Sequence, residues 1–287
     1  MRARARFKTR HGKSRIMEVN PDREWLMNAV CAAESGDGPA QKELAEIPGR
    51  KLEEIGMEPL ETLAEKGNSW AEFLVGRVLD GRRETGGNAE PAIAAYTDSA
   101  GKGNPYSMAA LAEHYEKGDG RTKSIYNAYL LHRKAAEKGL SSSEKWLEKN
   151  GAKAEEIGRL ADGAGRGDPE SMYRLALEHD RGTYVEYSPE KTMALLMEAA
   201  DMGHEDAALC AAERFIGGIG IPEHRELGIC MLAALAENGS EKAQNRIRSM
   251  TPYDMAECDG NSLRNMAAGG SAWAADIVSM ICGKDRA

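Results

Sequence analysis

The chain is expected to be all-α, an α/α superhelical solenoid of stacked helical hairpins. Three observations carry that expectation. Helix-ending glycines recur at Gly67, Gly103, Gly139, Gly167, Gly203, Gly239 and Gly270, with spacings of 36, 36, 28, 36, 36 and 31 residues. A period in the range of 20–50 residues marks a repeat architecture. Small residues hold register with those glycines, at Ala71, Ser107, Ser171, Ala207, Ala243 and Ala274, then at Gly76, Ala112, Ala176 and Ala212. Small side chains let neighbouring helices approach closely. Composition agrees: apolar residues are 41% and aromatics 6% of 287 residues, and no run of Val, Ile, Thr or Tyr at period two predicts a sheet.

The clearest unit is Ser107 to Gly139. Its first helix, SMAALAEHYEK, places Ala110, Leu111, His114 and Tyr115 on one face. Gly118 and Gly120 follow, where a left-handed residue closes the last turn. Ser124 is the predicted N-cap of the second helix, whose apolar stripe is Ala128, Leu131 and Ala135, with Tyr129 and His132 at its edges. One such hairpin cannot bury both of its apolar faces, so it needs neighbours.

Taken in order, residues 1–16 are a basic arm expected to be disordered. Met17 is an alternative start. Residues 17–67 are N-terminal capping helices. Trp25, Leu26, Ala29, Val30 and Ala33 form the first stripe there, and Pro59 is expected to kink or split the last helix. Residues 68–270 are the repeat solenoid. Within it, residues 140–167 form a short unit, read as SSSEKWLEKNG followed by AKAEEIGRLADGAGRG. Turn glycines are expected at Gly81, Gly118, Gly182 and Gly218. Pro252 should end the helix that starts at Glu241. Residues 271–287 hold a C-terminal capping helix.

Charge is unevenly spread. The first 15 residues hold seven Lys or Arg and no acid, against a whole-chain net charge of −8, so the remainder carries about −15. Five cysteines, Cys31, Cys210, Cys230, Cys258 and Cys282, lack any CxxC pair. They read as buried free thiols of a reducing compartment rather than disulfides or zinc ligands. No stretch reaches the ~18 apolar residues of a membrane span, so the expected protein is soluble and cytoplasmic.

Motifs for chemistry fail on inspection. His204-Glu205 opens like a zinc-protease helix, but Ala208 stands where the second histidine must be. GGIG at 217–220 follows a helix rather than a strand, so it is a repeat turn and not a dinucleotide loop. His114, His132 and His179 lie at packing positions of the repeat. No catalytic residue, metal ligand or cofactor site is assigned.

The unit, A-x3-L-small-x2-Y-x2-G-x-G followed by a second helix ending in A-A-x-x-G, resembles the Sel-one-like repeat, a branch of the tetratricopeptide-like helical repeats. The resemblance covers residues 68–270 with gaps. It departs from the pattern at Leu131, Leu195 and Met231, where an aromatic is often found, and at Tyr184 in place of a turn glycine. It implies a right-handed α/α superhelix whose concave face, lined by first helices, holds partner proteins, and it transfers no active site. The expected function is therefore a non-enzymatic scaffold or adaptor that binds a basic or amphipathic protein or peptide. Outward first-helix positions are the candidates for contact: Trp70, Phe73, Arg77, Tyr106, Glu113 and Tyr173. The aromatics among them are candidate anchors, with a core position as the alternative for each, since the sequence does not fix the helix phase. A nucleic-acid-associated regulator using the basic arm is the second reading, disfavoured by the acidic body. A hydrolase-type enzyme is the third.

Overall fold

The computed structural model describes residues 4–8, 14–18, 21–83, 88–251, 254 and 260–282. The chain divides into two compact units, Met1–Ala154 and Glu155–Ala287.

The first unit opens with a departure from expectation. Strands β1 (Arg4–Lys8) and β2 (Ser14–Glu18) pair antiparallel, with Arg4 opposite Glu18 and Lys8 opposite Ser14. Five residues separate the strands, which is a hairpin-loop length. The rest of the described chain is helical. Helices α1 (Pro21–Glu34) and α2 (Gly38–Glu46) pack together, followed by α3 (Gly49–Ile55) and α4 (Glu58–Glu65). The expected split at Pro59 is present: the break falls at Gly56-Met57, and Pro59 sits at the start of α4, where its missing N–H costs nothing. Leu26, Ala29, Val30 and Ala33 of α1 are buried, but Trp25 is exposed, so the stripe is narrower than predicted.

Helices α5 (Ser69–Arg83), α6 (Glu90–Gly101), α7 (Pro105–Lys117) and α8 (Ile125–Glu137) form the two full hairpins of this unit, and α6 also packs on α7. Ala71, Ser107 and Ala112 have no exposure, which is why only small residues stand there. The serines also hydrogen-bond across the stack. Ser99 Oγ donates to the Ser69 carbonyl at 2.6 Å, and Ser107 Oγ to Ser99 Oγ at 2.6 Å. Gly81 departs from its expected turn role and lies inside α5.

The chain divides within α9 (Ser141–Gly165), a single 25-residue helix where the sequence suggested two. An internal glycine costs a helix only ~1 kcal/mol, and no proline stands near Gly151, so the helix runs through it.

The second unit repeats the plan with α10 (Pro169–Arg181), α11 (Pro189–Asp201), α12 (Glu205–Gly217) and α13 (Arg225–Glu237), then α14 (Glu241–Arg248), α15 (Asn261–Ala268) and α16 (Ala272–Cys282). α10 packs on α11, α11 on α12, α12 on α13, and α13 on α14 and α16. Each is thus a hairpin or capping helix seated on its sequence neighbour. α14 stops short of Pro252, as expected; Pro252 itself lies outside the described residues. Caps follow the repeat. Asp168 accepts from Ser171 N, His204 from Ala207 N and Ser240 from Ala243 N. Glu170 reaches the His204 ring at 2.9 Å, and Glu205 reaches Ser240 Oγ at 2.5 Å, so an acid at the start of one first helix anchors the cap of the next.

All seven period-setting glycines have positive φ, from 83° at Gly139 and Gly167 to 101° at Gly270. That conformation costs a residue with a Cβ ~1–2 kcal/mol, so the recurrence seen in the sequence is a backbone requirement. The cysteines differ from expectation. Cys31 and Cys282 are exposed and Cys210 and Cys230 half-buried, because they sit at helix edges rather than in the small-residue seams. Cys258 lies outside the described residues.

Candidate functional site

A groove of about 850 Å³ opens in the Met1–Ala154 unit, bounded by α3, α5, α6, α7, the turn after α7 and the start of α9. Its floor is aromatic. Phe73 lies with its ring 6.1 Å from Tyr96 and 6.0 Å from Tyr106. Its rim is charged, with Arg77, Asp80, Glu113, His114, Lys117 and Asp119.

Four of the six sequence-predicted contact residues, Phe73, Arg77, Tyr106 and Glu113, line this one groove. Trp70 is a correction. It is 3% exposed, its ring wedged against Phe73 at 5.6 Å and Tyr106 at 5.1 Å, so it is a core residue and not an exposed anchor. Phe73 is 2% exposed and meets the groove only as its floor. Both point inward because α1 to α4 cover that side of α5, and the core there runs from Leu26 through Leu60 to Tyr96. Tyr173 belongs to the second unit, half-buried with its ring 4.8 Å from His204.

The cations of the groove are committed. Arg77 donates to the Ala45 carbonyl at 2.7 Å and the Ile47 carbonyl at 3.0 Å, satisfying the open end of α2. Lys117 pairs with Glu113 at 3.0 Å.

Sequence reasoning missed the polar cluster beside them. The Tyr96 hydroxyl donates to Asp80 Oδ2 at 3.0 Å. His114 Nε2 lies 3.4 Å from the same carboxylate, and its Nδ1 lies 2.9 Å from the Asp119 carbonyl. Burial, then the Asp80 charge, push the Tyr96 hydroxyl well above the usual tyrosine range. Burial alone would lower the His114 pKa, but hydrogen bonds and charge from Asp80 and Asp119 outweigh it and leave it raised. Burial, then Glu46, also raises the Tyr106 hydroxyl.

A second polar cluster has the connectivity of a nucleophile, base and acid. Ser143 Oγ lies 3.0 Å from His132 Nδ1, and His132 Nε2 lies 3.2 Å from Glu116 Oε1. The His132 ring stacks on Trp146 at 4.3 Å. Ser143 has no exposed surface, so no substrate reaches its hydroxyl. The array is a buried polar clasp that joins Glu116 of α7, His132 of α8 and Ser143 of α9.

Among the described residues no cluster of His, Cys, Asp and Glu has the arrangement of a metal site, and no helix is long and apolar enough to cross a membrane.

Residues 105–140 and 169–204 match the Sel1 repeat family model. Among solved structures the chain is similar to a Sel1 repeat protein from Oxalobacter formigenes, with 25% identity over 68% of this chain and 84% of that one, at a TM-score of 0.32. It is also similar to a protective antigen present in uropathogenic Escherichia coli strains that displays an SLR fold, with 20% identity over 88% of this chain and 58% of that one, at a TM-score of 0.33. No curated protein matches the chain. The two matched segments coincide with the hairpins α7–α8 and α10–α11.

Proposed function

We propose that the chain is a non-catalytic interaction scaffold that holds a protein or peptide partner in the groove of the Met1–Ala154 unit. The observation that carries this reading is the groove itself: an aromatic floor with a rim of fixed charges, built on consecutive repeats. Rigid aromatic surface supplies anchoring area at low entropic cost, and rim charge supplies orientation. Three carboxylates, of Asp80, Glu113 and Asp119, face two permanent cations, and Arg77 is already tied to backbone carbonyls. That balance favours a basic or amphipathic segment over an acidic one. The hydrolase reading has the burial of Ser143 against it. A cytoplasmic location fits the free thiols at Cys31, Cys210 and Cys282.

The test compares partners recovered on the immobilised full chain with those recovered on Tyr106→Ala and Glu113→Lys. Glu113 is exposed, so the second change leaves the fold intact. Loss of the same partner in both variants, with an unchanged melting temperature for Glu113→Lys, supports the groove. Equal recovery from all three chains sinks it.

A further inference from the structure

We propose that His114 is a pH-sensitive latch between consecutive repeats, clasping Asp80 of one first helix and the turn carbonyl of Asp119 when protonated, and releasing one of them when neutral. The argument begins with donors and acceptors. The Asp119 carbonyl can only accept, and it lies 2.9 Å from Nδ1. Asp80 Oδ2 already accepts from the Tyr96 hydroxyl, so it is an acceptor toward Nε2 as well, at 3.4 Å. A neutral imidazole carries one N–H and can serve one of these acceptors; the imidazolium serves both. The His114 side chain is 6% exposed, so water has little access to the ring nitrogen that faces the released acceptor.

The repeat itself supplies a control. Counting from the small seam residue, His114 stands seven places after Ser107, and Arg214 seven places after Ala207. Arg214 makes the same two contacts. Its guanidinium pairs with Asp180 at 2.5 Å and donates to the Ile219 carbonyl at 3.2 Å. Asp80 and Asp180 are one repeat upstream, and Asp119 and Ile219 occupy the same turn position. One repeat therefore closes this junction with a permanent cation, the other with a titratable one.

The surroundings of His114 are few. α5 offers Asp80 and, further along the groove, Arg77; α6 offers Tyr96; its own helix offers Glu113 and Lys117; the following turn offers Asp119. The other buried histidine, His132, faces a hydroxyl and a carboxylate and is satisfied without a charge. The raised pKa of His114 agrees with this geometry. The sign follows: a raised histidine pKa adds stability that is complete below ~6.5 and is lost as pH climbs through the folded-state value. All four residues of the cluster line the groove, so release acts on the wall that would meet a partner.

The experiment needs no partner. Thermal midpoints of the full chain and of His114→Arg are measured from pH ~5.5 to ~8.5, and the imidazole C–H resonances are followed by NMR. In the native chain the midpoint should fall as pH rises through the His114 titration, and His114→Arg should remove that component, since it copies Arg214. The His114 resonance should titrate above ~6.5, and Asp80→Asn should lower its midpoint by ~1 pH unit. Parallel pH profiles for the native chain and His114→Arg would overturn the proposal. So would a His114 midpoint at or below ~6.5, or one indifferent to Asp80→Asn, which needs no arginine variant to fold.

Discussion

The Tyr96 ring lies against the face of α5 where Gly76 stands, and its hydroxyl reaches past that glycine to Asp80 at 3.0 Å. The relationship explains why Gly76 occupies a position that holds alanine in the other repeats, at Ala112, Ala176 and Ala212. The positions of those repeats that correspond to Tyr96 hold His132, Leu196 and Leu232, none of them a phenol.

Gly76→Ala should therefore cost ~1–3 kcal/mol, because the new Cβ would meet Tyr96 Cε1 at 2.5 Å. Urea unfolding measures it. The same change in a Tyr96→Ala background should cost little, since neighbouring sites couple. Equal costs in both backgrounds would show that the ring is not the obstacle. Tyr96→Phe should cost ~1 kcal/mol through the lost hydrogen bond. The native hydroxyl should resist ionisation past the usual tyrosine range in a spectrophotometric titration, because burial and then Asp80 oppose its charge. The sign is that of a raised pKa: the contribution is intact below the ordinary value and fades as pH climbs toward the folded one.

Gly139→Ala isolates backbone strain. Nothing lies within 4 Å of the Cβ it would add, yet φ there is 83°. A loss of ~1–2 kcal/mol in thermal or urea unfolding is expected. A neutral result would mean that the turn relaxes to negative φ.

Ala207→Leu tests the small-residue seam of the second unit. Ala207 has no exposure and packs in the cluster of Met172, Ala176 and Leu196. Overpacking should cost ~1–3 kcal/mol. An unchanged melting temperature would mean that the seam has slack.

The clasp at Glu116 predicts an acid limb. Burial would raise the Glu116 pKa, but hydrogen bonds from His132 and Trp146 outweigh it and hold it below the usual carboxylate range. A lowered carboxylate pKa adds stability above its unfolded value and loses it as pH falls through the folded one. Glu116→Gln should flatten that acid limb in pH-dependent melting. Ser143→Ala should cost ~1 kcal/mol by unpairing the His132 ring. It should leave partner recovery unchanged; a loss of recovery would mean that the clasp shapes the groove.

Much of the fold was legible in the residues. The glycine period marked seven positive-φ positions, and the small residues marked the seams, because both are local demands: any Cβ strains the first, and a large side chain overfills the second. Helix phase was less legible. The stripe read on α8 was Ala128, Leu131 and Ala135, whereas Tyr129 and His132 are buried and Leu131 is only partly so. His132 reads as an edge residue until its partners, Trp146 and Glu116, are known. Gly151 fits the glycine pattern of a turn, but α9 runs through it as one helix.

By itself the sequence determined that this is a helical repeat protein, where its hairpins turn, and which positions stay small. Steric limits on φ and on helix approach act within a few residues, so they are written in short strings. Tertiary structure decided the rest: that Trp70 is core, that Phe73, Arg77, Tyr106 and Glu113 share one groove, and that His114 lies between two acceptors. Those relations join residues some 30 positions apart across stacked helices. Periodicity assigns each residue to a face, but only the packing of one repeat on the next decides which face meets water.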